Sequence, residues 1–214
     1  MVLRVPWGGG IRAPEHHSEA NESIFTNVPG LRVVMPSSPQ RAYGLLLAAI
    51  RDPDPVIYME PKRIYRQYKE LVPDDGEALP LDVCFVLRDG SDVTLVTWGA
   101  QVKETLEAAD ETRRRRHQRR SHRRRHAEAA GLRHHRRVGR QDRPLRDRAR
   151  GRQDRRLRRR DRRALAEECM YDLVAPVERV TGYDTHIPLF RLEMKYLPSV
   201  DKVIAAARRA MAHS

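Results

Sequence analysis

Residues 112–163 of this 214-residue chain contain no lysine and no aromatic side chain, and no part of the chain has a long apolar run. The second absence excludes a membrane-spanning helix, which needs about 20 consecutive apolar residues. Cysteine is nearly absent. Cys84 and Cys169 cannot form a disulfide framework, and they point to a reducing cytoplasm. The opening MVLRVPWGGG is not expected to be a signal peptide, because its apolar stretch is too short and is broken by Arg4 and Pro6. That opening reads like the middle of a domain, entering on a strand and turning at Gly8, Gly9 and Gly10.

What is present is positive charge in one place. The formal net charge is +13, yet residues 112–163 hold 25 of the 42 basic residues, all of them Arg, against five acids. The rest of the chain carries 17 basic and 24 acidic residues, a net −7, so the globular parts are mildly acidic. A polycation of this kind neutralises phosphates and binds nucleic acid without sequence preference, which makes an Arg-rich nucleic-acid or polyanion-binding protein one functional reading. Binding arms of that type usually mix Lys with Arg, or interleave Gly and aromatics for stacking. This tract does neither, so its polyanion binding reads as incidental. Its histidines, His117, His122, His126, His134 and His135, show no paired-ligand spacing with Cys, which argues against zinc.

On either side the sequence reads as α/β protein. Residues 31–35 (LRVVM) have strand character. Ser38 is placed to cap a helix with Pro39 at its first position, where a missing N–H costs nothing. Residues 40–51 (QRAYGLLLAAIR) carry an apolar face at helical spacing, and the DPDP run at 52–55 stops the helix. Residues 55–59 (PVIYM) form a buried-type strand. Strand, helix and strand in so short a span predict a βαβ unit and a parallel sheet. Residues 61–81 are polar and Pro-punctuated and read as a linker. Residues 83–87 and 93–97, around the turn RDGSD, predict a hairpin or strand pair. A helix follows Gly99 and ends where the Arg-rich tract begins. Beyond the tract, residues 165–173 are expected to be helical, 176–180 a strand and 200–211 an amphipathic helix.

The flanking strings GGGIRAPEHHSE (8–19), PGLRVVMPSSPQRAYGLLLAAIRDPDPVIYMEPKRIYR (29–66), GSDVTLVTWGAQV (90–102), APVERVTGYDTHIPL (175–189) and YLPSVDKV (196–203) resemble the beta subunit of the thiamine-diphosphate-dependent 2-oxo acid dehydrogenases. The resemblance implies the end of a thiamine pyrimidine-binding domain over 1–72, a linker at 73–81, and a transketolase C-terminal-like α/β domain over 82–214 whose middle is disrupted at 112–163. It implies oxidative decarboxylation of pyruvate or branched-chain 2-oxo acids with acyl transfer to lipoyl groups. The implied partners are an alpha subunit, in an α2β2 heterotetramer, and a lipoyl acyltransferase core. The implied cofactors are thiamine diphosphate and Mg²⁺, shared with and mainly held by other parts, with K⁺ in some members. The family's beta subunit begins earlier, and its cofactor-activating Glu lies upstream of the position matching Met1.

The tract itself reads as a family segment out of frame. Between AADE (108–111) and LAEE (165–168) the family has about as many residues as this chain. Residues 153–163 (QDRRLRRRDRR) have a permitted codon series that reads R-T-G-G-F-G-A-E-I-A-A when shifted by one base and extended into Ala164. That is the Gly-rich turn and helix the family carries there. A one-base gain near 112 and a one-base loss near 164 suffice. The chain as written is therefore expected to be inactive.

Four positions are candidate sites by the same resemblance. His17, the second His of EHHSE, matches the family's proton-shuttling histidine over the thiamine ring, a task suited to a group titrating near neutrality. His16 matches a pocket-lining neighbour. Backbone carbonyls of Ala49, Asp52 and Asp54 match a potassium site, and Tyr183 and Asp184 of GYDT match a subunit-interface loop. Plainer readings exist for each: loop histidines without a role, an ordinary helix C-terminus, and an ordinary turn.

Overall fold

The computed structural model describes residues 1–13, 18–120, 171 and 173–213. Three parallel strands form its sheet: β1 (Val2–Trp7), β2 (Arg32–Val34) and β3 (Val56–Pro61), in the order β1-β3-β2. Val2 pairs with Val56 on one side of β3, and Arg32 pairs with Val56 on the other. A single turn, α1 (Glu22–Phe25), precedes β2. The predicted βαβ unit is present, with α2 (Pro39–Arg51) joining β2 to β3. Its start is the predicted one: Ser38 is extended, its hydroxyl accepts from the Arg41 N–H, and Pro39 opens the helix. Leu45 and Ala49 of α2 pack with Val34, Val56 and Tyr58, all buried. Full burial of such side chains contributes about 1.5–3 kcal/mol each for Val, Leu or Ile. The Tyr58 hydroxyl reaches the Ala42 carbonyl of the same helix at 2.8 Å, so its polar end is satisfied.

Residues 61–81 are not a free linker. After a 3₁₀ turn over Lys62–Ile64 the chain is strapped along α2. The Leu79 N–H bonds the Gly44 carbonyl at 3.0 Å, and Leu79 and Leu81 pack on the sheet core. The Tyr43 hydroxyl meets Asp74 at 2.8 Å and accepts from the Gly76 N–H at 2.9 Å. The polar composition that suggested a linker is spent on hydrogen bonds to the helix.

The expected hairpin over 83–97 reduces to isolated bridge residues at Arg88 and Thr94, and 176–180 joins no ladder. An isolated strand pair is marginal without further strands or a packed face, and the neighbouring tract offers no aromatic and few β-branched residues to supply them. The helix after Gly99 also differs from expectation. Helix α3 (Val102–Arg120) runs on into the tract, which accords with the good helix propensity of Arg. The rest of the tract, and residues 165–170 and 172 of the helix expected at 165–173, lie outside the described residues; Tyr171 and Leu173 are not helical. Two last helices, α4 (Glu193–Tyr196) and α5 (Val200–Met211), close the chain, the second with the predicted bounds and a Ser199 cap. Ala108 of α3 packs with Val203 and Ile204 of α5 in a second core. Among the described residues no helix is long and apolar enough to cross a membrane.

Candidate active-site loop and its supports

In open parallel sheets, ligands bind outside the carboxyl ends of the strands. Strand β1 ends at Trp7 and β3 at Pro61, so residues 8–13 and the turn at 62–64 leave the sheet on that edge together. The first of these segments leads in sequence into the EHHSE motif (15–19). Gly8 (φ 87°) and Gly10 (φ 93°) turn it through the left-handed region, where a side chain is strained. Arg12 takes φ 58° despite its Cβ, a conformation that costs of order 1–3 kcal/mol and persists only where the surroundings enforce it.

The enforcing group is Glu193, at the start of α4 and only 1% exposed. One carboxylate oxygen accepts from the Gly10 N–H at 2.6 Å and the other from the Arg12 N–H at 2.7 Å. The Ser18 hydroxyl lies 3.3 Å from the first oxygen and 3.1 Å from the Ala13 carbonyl, which fastens the far end of the loop to the near end. Gly9 suits the close approach, because a Cβ there would be crowded at 3.1 Å from a Glu193 oxygen and 3.3 Å from the Ser18 carbonyl. Gly10 is required on the opposite side, where a Cβ would collide with the Arg63 stem. The Arg63 guanidinium pairs with Glu104 in the first turn of α3, both largely buried. Tyr68 lies beside the pair: burial and the nearby Glu104 and Glu107 carboxylates push its phenol up. His16 and His17 lie between Ala13 and Ser18, outside the described residues.

The Ala49, Asp52 and Asp54 turn sits at the other end of α2. Ala49 is fully buried, and its carbonyl accepts from the Asp52 N–H at 3.4 Å. Both carboxylates turn to Arg32, at 3.0 Å from Asp52 and 3.6 Å from Asp54, and Asp82 joins them at 3.2 Å. The guanidinium thus supplies the positive charge that these side chains require, and a potassium ion here would depend on backbone carbonyls alone. Among the described residues no group of three His, Cys, Asp or Glu side chains is placed to hold a metal.

Tyr183 and Asp184 are exposed on a loop held from beneath by Tyr196. The Tyr196 hydroxyl lies 2.9 Å from the Tyr183 carbonyl and 3.2 Å from that of Thr185. A Cβ on Gly182 would stand 2.5 Å from the Tyr196 ring carbon bearing the hydroxyl. The Lys202 ammonium caps the end of α4, reaching three backbone carbonyls at 3.1–3.4 Å, and stands 4.9 Å from the Tyr183 ring centre. Leu189, Phe190, Leu192 and Met194 are exposed close by in sequence.

Sequence reasoning found the loop by its motif but missed Glu193, Arg63 and Glu104. Glu193 contacts Gly10 across 183 positions of sequence, and nothing in FRLEMKYLP marks its acid as buried. The glycine run 8–10 was the available signal, since Gly9 and Gly10 have neighbours close to where a Cβ would stand.

The transketolase pyrimidine-binding domain profile matches residues 1–67. The chain is 56% identical over 108 residues to the pyruvate dehydrogenase E1 component subunit beta of Acholeplasma laidlawii, covering 50% of this chain and 33% of that protein. It is 35% identical over 224 residues to the mitochondrial 2-oxoisovalerate dehydrogenase subunit beta 2 of Arabidopsis thaliana, covering 97% of this chain and 58% of that one. A 35% match to the 2-oxoisovalerate dehydrogenase subunit beta of Bacillus subtilis covers 97% of this chain and 64% of the relative. The chain therefore spans less than two thirds of the length of these relatives. Among solved structures, a split-gene transketolase, an inactive β4 tetramer, aligns with a TM-score of 0.58 at 18% identity, over 99% of this chain and 65% of that one, a likeness of fold.

Proposed function

This chain belongs with the beta subunits of the 2-oxo acid dehydrogenases, whose pyrimidine-binding domain it carries over residues 1–67, and on that premise we propose that it derives from the decarboxylating component acting on pyruvate or branched-chain 2-oxo acids. The observation that carries the proposal is the loop of residues 8–18. Its described part, residues 8–13 and Ser18, stands at the carboxyl edge of a parallel sheet and meets a buried carboxylate, and the EHHSE motif (15–19) follows Ala13 closely in sequence.

Thiamine diphosphate, when bound, supplies the carbanion chemistry of decarboxylation. The chain's own part is to hold and move a proton and to orient the acyl acceptor. His17 carries that proton, since an imidazole changes charge near neutral pH, and His16 lines the pocket beside it. Residues 1–72 are the pyrimidine-binding part, 73–81 the connection, and 82–214 the C-terminal domain. Tyr183 and Asp184, beside the exposed run from Leu189 to Met194, face another subunit. The partners in this reading are an alpha subunit, in an α2β2 assembly that holds Mg²⁺, and a lipoyl acyltransferase. Any potassium sits on the carbonyls of Ala49, Asp52 and Asp54.

In this proposal the polypeptide as written does not turn over. A tract of Arg and His in place of an apolar centre cannot bury enough surface to complete the second domain. The alignments that cover 97% of the chain run through the tract, in support of a segment out of frame rather than an insertion. The test is a chain with 112–163 restored to the shifted frame, extended to the length of its relatives, and produced with an alpha subunit and thiamine diphosphate. Release of carbon dioxide from pyruvate or from a branched-chain 2-oxo acid is expected, and the faster of the two identifies the substrate. Replacement of His17 by Ala is expected to lower acyl transfer to lipoyl groups and leave assembly intact. Turnover unaffected by His17→Ala would remove that residue from the site.

A further inference from the structure

A carboxylate that is 1% exposed and receives two backbone N–H groups is not surface decoration. Losing water from a charged group is costly, and the cost is offset only by good donors in fixed positions. The donors here are Gly10 N–H, Arg12 N–H and the Ser18 hydroxyl, and all three belong to one loop. The opposite side of that loop is closed by the Arg63 stem against Gly10. Acceptor and loop also lie far apart in the chain, so the contact brings the short helix α4 against the loop that leaves the sheet.

We propose that Glu193 is the positioning residue of the 8–18 loop. Its two oxygens set the backbone of Gly10 and Arg12, including the left-handed turn at Arg12, and one of them lies within reach of the Ser18 hydroxyl, so that the described ends of the loop, residues 8–13 and Ser18, are held to one carboxylate. This deepens the function proposed above and rests on it for the claim that the loop serves catalysis; the clamp itself stands on the geometry alone. Glu193 acts as an acceptor of two N–H groups and not as a filler of space. The glycine at position 9 is part of the same device, because a Cβ there would crowd the carboxylate at 3.1 Å.

The test is amide hydrogen exchange, resolved by residue, in the full chain as it exists. In the wild type the Gly10 and Arg12 amides are expected to exchange slowly. Glu193→Gln has the same shape but offers one acceptor oxygen, and its amide group meets the second N–H with another donor. One of the two amides should then exchange about tenfold faster or more, as befits loss of a charge-assisted hydrogen bond, while the β3 amides keep their protection. Glu193→Ala should release both amides. Gly9→Ala, which crowds the carboxylate at 3.1 Å without removing it, should speed exchange of the same amides to a smaller extent and keeps the test open if Glu193→Ala does not fold. Wild-type protection of both amides in Glu193→Gln would overturn the proposal, since a space-filling role survives that change. In the repaired assembly the Gln variant should lower kcat with KM for the 2-oxo acid little changed. Exchange altered with kcat unaltered would leave the clamp standing and refute its catalytic purpose. A silent His17→Ala beside an altered exchange pattern would instead reject the functional reading and keep the clamp.

Discussion

Replacing Gly44 by Ala sets two effects of opposite sign against each other. Ala inside a helix is favoured over Gly by about 1 kcal/mol, and Gly44 lies in the interior of α2 with no left-handed backbone to protect. Considered as a helix alone, α2 would gain. The added Cβ, however, would lie 2.5 Å from Leu79 Cγ, 2.8 Å from its Cδ1 and 3.3 Å from its Cβ. Leu79 cannot simply rotate away, because its N–H is bonded to the Gly44 carbonyl at 3.0 Å and fixes where its own Cβ stands. Overpacking of this kind costs about 1–3 kcal/mol. The clash therefore wins, and Gly44→Ala should destabilise the chain by about 1 kcal/mol, partly by lifting the strap off α2. Removing the obstacle reverses the sign. In a Leu79→Ala background, Gly44→Ala should stabilise by about the helical increment of 1 kcal/mol. The assay is urea unfolding of the four chains of the cycle, followed by tryptophan fluorescence. A higher midpoint for Gly44→Ala alone, or additivity within about 0.5 kcal/mol, would refute the docking of residues 74–81 on α2.

Tyr196→Phe removes the hydroxyl that donates to the Tyr183 carbonyl, with that of Thr185 close by, and about 0.5–1.5 kcal/mol of unfolding free energy should go with it, together with exchange protection beneath the GYDT loop. Glu60 gives a pH signature. Burial alone would raise its carboxyl, but hydrogen bonds from Arg4 and the Tyr65 hydroxyl, and the Arg4 charge, hold it below its ordinary 4.5. Its ionised form therefore stabilises the fold above the ordinary carboxylate range, and that contribution is lost as pH falls through the lowered folded value. The Tyr65 phenol is correspondingly pushed up to about 12, by burial first and by its hydrogen bond to Glu60. Thermal midpoints between neutrality and about pH 3 should fall less in Glu60→Gln than in the wild type, and equal slopes would reject the linkage. Resequencing should find one base fewer near codon 112 and one more near codon 164. The chain as written should elute from heparin at a salt concentration that the repaired chain does not require, because its 25 Arg side chains would be gone.

The first βαβ unit was readable from local chemistry. Ser38 and Pro39 mark where α2 begins, the DPDP run marks where it ends, and the apolar spacing between them matches a helix against a sheet. Such signals are short in range, and each would act in the same way in an isolated segment. The closing helix α5 is legible for the same reason: Ser199 caps it, and Val203, Ile204, Ala206 and Ala207 fall on one buried stripe. The family was legible too, because its motifs are long strings in a fixed order.

The strands expected at 83–97 and 176–180 were not decided locally. Alternating apolar residues make a segment fit for a sheet, but a ladder needs neighbours, and the adjacent tract does not encode them. The polar run at 61–81 erred in the opposite direction. Its Leu79 and Leu81 look isolated in sequence and find their core only when α2 is folded beside them. Glu193 is the clearest case. By itself the sequence determined which loop leaves β1 and that glycines must bend it. Only the tertiary structure decided that a carboxylate from the far end of the chain, buried and facing two N–H groups, sets the shape of that loop, because the donors that make its burial tolerable come together only when both ends of the chain have folded.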